Sequence, residues 1–147
     1  MLPAILQIPY HPFPHDERLP TMNILELNHV ALHVADLDAS LAFYRDQLEL
    51  EPMARPAFDF PGAWLRLGPR QELHLIAGRQ HPVQSQGRGT HFALQVESIN
   101  EAEALLRRNG VAYRPRKRRP DGTWQIFVAD PDGHWIELTD LSPLENT

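Results

Sequence analysis

Cysteine is absent from this chain of 147 residues. Disulfides, thiolate zinc sites and cysteine nucleophiles are thereby excluded, and any metal must be held by His, Asp or Glu. No apolar run approaches the ~18 residues of a membrane-spanning helix. Positive charge is also in short supply. Against 14 Lys and Arg stand 19 Asp and Glu, a net charge of −5, which leaves no electrostatic footprint for nucleic acid. The opening "MLPAILQIP" lacks a basic n-region and a cleavage site, so no signal peptide is expected and the chain reads as cytoplasmic. The expected partner is a small molecule, with neither nucleic acid nor membrane.

Proline and histidine are plentiful by contrast. Five of the 14 prolines (Pro3, Pro9, Pro12, Pro14, Pro20) fall in the first 20 residues, where neither helix nor central strand can be sustained. Residues 1–22 are read as a Pro-rich N-terminal arm, with Ile5, Leu6, Ile8 and Phe13 available for packing. Residues 23–143 form one domain, long enough to bury a core. Within it, "LNHVALHV" (27–34) reads as a strand whose Val30, Leu32 and Val34 share one face. His29, Ala31 and His33 share the other.

The domain repeats itself. "HVALHVADLDASLAFYR" (29–45) and "HFALQVESINEAEALLR" (91–107) are identical at six of 17 positions at an offset of 62. "GAWLRL" (62–67) pairs with "GTWQIF" (122–127) at an offset of 60, and "LHLI" (73–76) with "IELT" (136–139) at 63. Small drifts in offset indicate a duplicated module with loop changes. Module one spans about 23–80 and module two about 88–143. Each reads as strand, helix and three short strands. Asp36 is the expected cap of the first helix, whose stripe is Leu37, Leu41, Tyr44 and Leu48. Ser98 and Glu101 form a candidate capping box for the second, which Gly110 ends. "DPDG" (130–133) is a turn signal between the last two strands. The fold class is α+β: two tandem βαβββ units.

This duplication places His29 opposite its counterpart His91, and His74 opposite Glu137. All four lie on strand faces whose alternate residues are apolar. Three imidazoles and one carboxylate suit one borderline divalent ion, Zn, Ni, Co, Fe or Mn. Phe58 and Phe60, on a proline-bounded loop, read as pocket walls, with Arg55, Trp64 and His33 as further candidate substrate contacts. Trp64 and Trp124 read as repeat-equivalent packing residues. The run Arg114, Arg116, Lys117, Arg118, Arg119 reads as a solvated loop, and His134 as solvent-facing.

"LNHVALHVADLDASLAFYRDQLEL", "GTHFALQV" and "FVADPDGHWIELTD" together resemble the vicinal oxygen chelate superfamily over residues 26–140. That group includes glyoxalase I, extradiol dioxygenases, fosfomycin-resistance proteins and bleomycin-binding proteins. The resemblance implies a cupped mixed β-sheet with helices outside, often completed across a homodimer. It implies that His29, His91 and Glu137 are metal ligands, that His74 is a fourth, and that Glu137 is the candidate base of a lyase or isomerase. The substrate would be small, with two adjacent oxygens. Alternatives on the same fold are an extradiol-type dioxygenase and a noncatalytic small-molecule binding protein. Two positions depart from bacterial-type glyoxalase I: His74 stands where a glutamate is usual, and His33 where an arginine clamps a glutathione carboxylate.

Overall fold

The computed structural model describes residues 22–140. Nearly all of the expected arm, and residues 141–143, lie outside the described residues. Module one contains β1 (His29–Val34), α1 (Leu37–Leu41), β2 (Pro52–Met53), β3 (Gly62–Leu67) and β4 (Gln71–Ala77). Module two contains β5 (Phe92–Gln95), α2 (Ile99–Arg108), β6 (Tyr113–Arg118), β7 (Trp124–Ala129) and β8 (Trp135–Thr139). The two four-stranded sheets are ordered β1-β4-β3-β2 and β5-β8-β7-β6. β1 runs parallel to β4, and β5 to β8, while every other pairing is antiparallel. A parallel neighbour requires a crossover, which α1 and α2 supply. Both sheets are therefore mixed, and the α+β βαβββ duplication is the architecture. Among the described residues, β1 and β5 are edge strands with no hydrogen-bonded neighbour on their outer sides.

Strand alternation divides each sheet into a core face and a second face. Leu32, Val34, Leu65, Leu73 and Leu75 are buried in module one, as are Ile126, Val128, Ile136 and Leu138 in module two. Asp36 and Ser98 cap the helices as expected, but among the described residues no bond from the Ser98 N–H to the Glu101 carboxylate completes the capping box. Asp36 accepts from Ala39 N–H and Ser98 Oγ from Glu101 N–H, satisfying donors that a first turn leaves without partners. Gly110 takes a φ of 67° just past α2, a conformation in which a Cβ is penalised.

Three local expectations are corrected. After α1 the chain widens into a π-helical turn, Ala42–Gln47. The wider turn places the consecutive Phe43 and Tyr44 both in the core, which a 3.6-residue stripe through Leu41 and Tyr44 does not anticipate. The basic run is no loop: Tyr113–Arg118 is strand β6, paired with β7 around a bulge between Arg114 and Lys117. Its arginines lie over indole faces, Arg114 on Trp135 at 4.0 Å and Arg116 on Trp124 at 5.2 Å, which reconciles charge with sheet formation. His134 is not solvent-facing: its Nδ1 contacts Asp130 Oδ2 at 2.8 Å.

That last contact belongs to a latch between the modules. Asp130, 5 % exposed, accepts from Tyr44 Oη at 2.9 Å across the module boundary. It also accepts from the N–H groups of Asp132 and His134 in its own turn. Burial, and then the Asp130 carboxylate, push the Tyr44 hydroxyl far above the ordinary phenol range, so it stays a donor. Asp132 in turn receives Ala35 N–H and the Arg79 guanidinium. Burial opposes its ionisation, but Arg79 and Ala35 outweigh that and hold its carboxyl below the usual carboxylate range. Removing Asp130 would strand a buried hydroxyl and two turn N–H groups. Asp130→Ala should therefore lower stability by about 3 kcal/mol, read as a shift in the urea midpoint. Among the described residues, no helix is long and apolar enough to cross a membrane.

Candidate functional site

On the second face of each sheet, strand periodicity brings the candidate ligands together in pairs. β1 and β4 align Ala31 with His74, and the His29 and His74 rings stack at 4.3 Å and 15°. β5 and β8 align Ala93 with Glu137, and His91 Nε2 lies 3.2 Å from Glu137 Oε2. The two pairs occupy equivalent positions in the duplication. Among the described residues, no three of these four side chains bring ligand atoms within 4.8 Å of one another. Among the described residues, the only three metal-ligating side chains grouped within 4.8 Å are Asp130, Asp132 and His134, and this group is already engaged as the latch.

Each of the three imidazoles has one nitrogen tied to an oxygen acceptor. His29 Nδ1 donates to Asn28 Oδ1 at 2.8 Å, His91 Nδ1 to Gly89 O at 3.1 Å, and His74 Nε2 faces Glu72 Oε2 at 2.7 Å. His91 has oxygen partners on both nitrogens, Gly89 O and Glu137 Oε2. In neutral His29 and His74 the opposite nitrogen carries the lone pair, the usual arrangement of an imidazole prepared to ligate. The His29 and His74 rings lie face to face; His74 is held between two rings, while His29 is exposed at the sheet edge.

Glu137 is the most telling residue. It is 7 % exposed, yet its Oε1 is buried with no hydrogen-bond partner. Its nearest cation among the described residues is Arg119, with Nη1 at 3.8 Å, beyond hydrogen-bond length. Oε2 lies within hydrogen-bond distance of His91 Nε2, at 3.2 Å. That separation is also one that two donors to a single ion adopt at bond lengths of about 2.1 Å. A buried carboxylate with an unpartnered oxygen, beside an imidazole, fits a divalent cation.

Aromatic rings border both pairs. Trp64 pairs with His74 across β3 and β4 and stacks on it at 4.0 Å and 4°. Its counterpart is not Trp124. β7 pairs Phe127 with Glu137, and Phe127 meets His91 edge-on at 5.4 Å. Trp124 packs on the core instead. Phe58 contacts Trp64 and stacks on Phe60, with Arg55 over both phenylalanines. His33 Nε2 contacts Ala77 O at 3.2 Å, apart from either pair. Sequence reasoning missed Glu72, although the period of two that placed His74 on this face places Glu72 there also. Arg119 was passed over as part of a charged run.

A cleft of about 1280 Å³ opens between the modules, with His29, Glu72 and His91 in its wall among Leu48, Leu50 and Phe92.

Residues 26–138 match the sequence profile of the family described as the Glyoxalase/Bleomycin resistance protein/Dioxygenase superfamily. The chain is 29% identical over 131 residues to Glyoxylase I 4 of Arabidopsis thaliana, covering 84% of this chain and 75% of that one. It is 32% identical over 123 residues to the lactoylglutathione lyase of Salmonella typhimurium, covering 78% and 91%. A crystal structure of a glyoxalase family protein from Bacillus anthracis superposes with a TM-score of 0.71 at 24% identity, covering 83% of this chain and 99% of that chain. That likeness shows the fold.

Proposed function

The chain belongs to the glyoxalase/bleomycin resistance protein/dioxygenase superfamily, and on that premise we propose that it is a metal-dependent lyase or isomerase acting on a small substrate with two adjacent oxygens. The observation that carries the reading is the buried Glu137 carboxylate, its Oε1 without a hydrogen-bond partner, set against His91. The ion would be held by His29 and His74 from one module and by His91 and Glu137 from the other. When bound, it supplies Lewis acidity to the two substrate oxygens.

The remaining chemistry belongs to the chain. The Glu137 carboxylate is the base that takes a proton from one substrate carbon and returns it to the next. Gly89 O fixes the His91 tautomer, and Glu72 fixes that of His74. Trp64 and Phe127 flank the two pairs and keep water from the reacting carbons. His33, bonded to the Ala77 carbonyl, is poorly suited to replace a bidentate guanidinium clamp. This favours a substrate other than a glutathione adduct.

Metal-loaded protein should be screened against α-oxoaldehydes with several thiols, hydroxyketones and vicinal diols, with dissolved oxygen followed in parallel. Turnover without oxygen uptake is expected. Glu137→Gln keeps an oxygen ligand but loses basicity, so its rate should fall about 10²–10⁴-fold, further than its metal content falls. A Glu137→Gln variant of undiminished rate would remove the base, and oxygen consumption would transfer the assignment to a dioxygenase.

A further inference from the structure

A continuous aromatic wall runs from an exposed loop to the His29–His74 pair. Its steps are His29 to His74 at 4.3 Å, His74 to Trp64 at 4.0 Å, Trp64 to Phe58 at 6.0 Å and Phe58 to Phe60 at 5.2 Å. The outer rings are open to solvent, Phe58 being 47 % and Phe60 38 % exposed. Exposed neighbouring phenylalanines carry a cost that a loop folded for stability alone would avoid by turning them inward.

The loop holding them is locked. Phe58 N–H donates to Pro56 O at 2.9 Å, and Ala77 N–H to Pro61 O at 3.0 Å. At Gly62 an added Cβ would stand 2.4 Å from the Leu75 carbonyl oxygen, so only glycine lets the loop enter β3 at this spacing. Arg55 crosses beneath, its guanidinium carbon 4.8 Å from both ring centres and its Nη2 donating to Phe60 O at 2.8 Å. Arg66, Arg79 and Arg108 each meet a carboxylate. Among the described residues none pairs with Arg55, not even Asp59 of the same loop. A planar cation is thus held in one orientation, with no carboxylate partner among the described residues, two ring-to-ring steps from the candidate metal pair.

We propose that Arg55, Phe58, Phe60 and Trp64 form a recognition surface for a flat aromatic anion, so that the substrate carries an aromatic ring and a carboxylate or similar anionic group. The ring lies against Phe58 and Trp64, where offset or edge-on contacts add to simple apolar burial. The anion meets the fork of Arg55, which suits a carboxylate in bidentate geometry. The surface rests on the proposed function only for its place beside the metal pair.

Naphthoate, its saturated decalin counterpart and naphthylmethanol separate the two requirements, because they share size but lack, in turn, nothing, flatness and charge. Calorimetric titration of the full chain, metal-loaded and after chelation, should find naphthoate bound about tenfold more tightly than either control. Arg55→Gln should erase the advantage over naphthylmethanol while keeping that over the decalin acid. Phe58→Leu, which keeps apolar bulk, should do the reverse. Equal binding of all three probes, or a naphthoate preference indifferent to both variants, would overturn the proposal. Measured in chelated protein, the naphthoate preference is independent of the metal reading. A chain that binds naphthoate selectively but takes up no metal would sink the proposed function and leave this surface standing.

Discussion

Protein carrying His91→Ala and Glu137→Ala together should lose high-affinity divalent metal binding. The measurement is metal content after purification without a histidine tag, followed by titration with Co(II), whose absorption also reports ligand number. One pair supplies half of the proposed donors, and removing it also discards a buried oxygen that has no hydrogen-bond partner among the described residues. The loss should exceed the 10–100-fold that deletion of an outer-shell hydrogen bond costs. Glu72→Gln provides that graded comparison. It leaves every proposed ligand in place but weakens the acceptor that holds His74 Nε2 at 2.7 Å. Its affinity should drop within the 10–100-fold band, with a changed Co(II) spectrum. Full metal occupancy in the double variant would remove the site altogether.

Much of this site was legible because strand geometry converts residue number into direction. Parity alone put His29 and His33 opposite Val30, Leu32 and Val34, and duplication identified His74 with Glu137 before any coordinates. Parity also limits what letters can tell. Matching glycine and tryptophan at an offset of 60 suggested that Trp64 and Trp124 are equivalent. Hydrogen-bond register makes the counterpart Phe127, at the offset of 63 that also relates His74 to Glu137. The bulge in β6 marks an irregularity in the preceding hairpin that letter spacing does not locate.

The other misses share a cause: they depend on partners distant in sequence. A run of arginines is polar by composition, yet Trp135 and Trp124 give three of its members rings to lie on. His134 follows a turn glycine and looks exposed until Asp130 receives it. The π-helical turn answers to Phe43 and Tyr44 being required in the core at once, a tertiary demand that outweighs the 3.6-residue period. Glu72 needed no tertiary knowledge. It was on the right face and went unread because a carboxylate on a strand is ordinarily solvated.

How the half-sites meet is the question no local pattern reaches, and it has a decisive expected result. Chains bearing His29→Ala and His74→Ala, mixed with chains bearing His91→Ala and Glu137→Ala, should recover metal binding that neither parent has. Within one chain the latch joins the modules through Tyr44–Asp130 and Arg79–Asp132, and among the described residues no three of the four candidate ligands group within 4.8 Å. The cleft between them, about 1280 Å³, is larger than the ~300–1,000 Å³ typical of small-molecule pockets. Its leucines and the open edges of β1 and β5 are surfaces that a second copy can cover. A two-fold dimer would then join module one of each protomer to module two of the other. In a mixed dimer, one such junction unites both damaged halves and the other unites both intact halves. One metal per mixed dimer is therefore expected, with differently tagged subunits co-purified to isolate that species. A site closed within a single chain would be damaged in every subunit, and the mixed dimer would hold none.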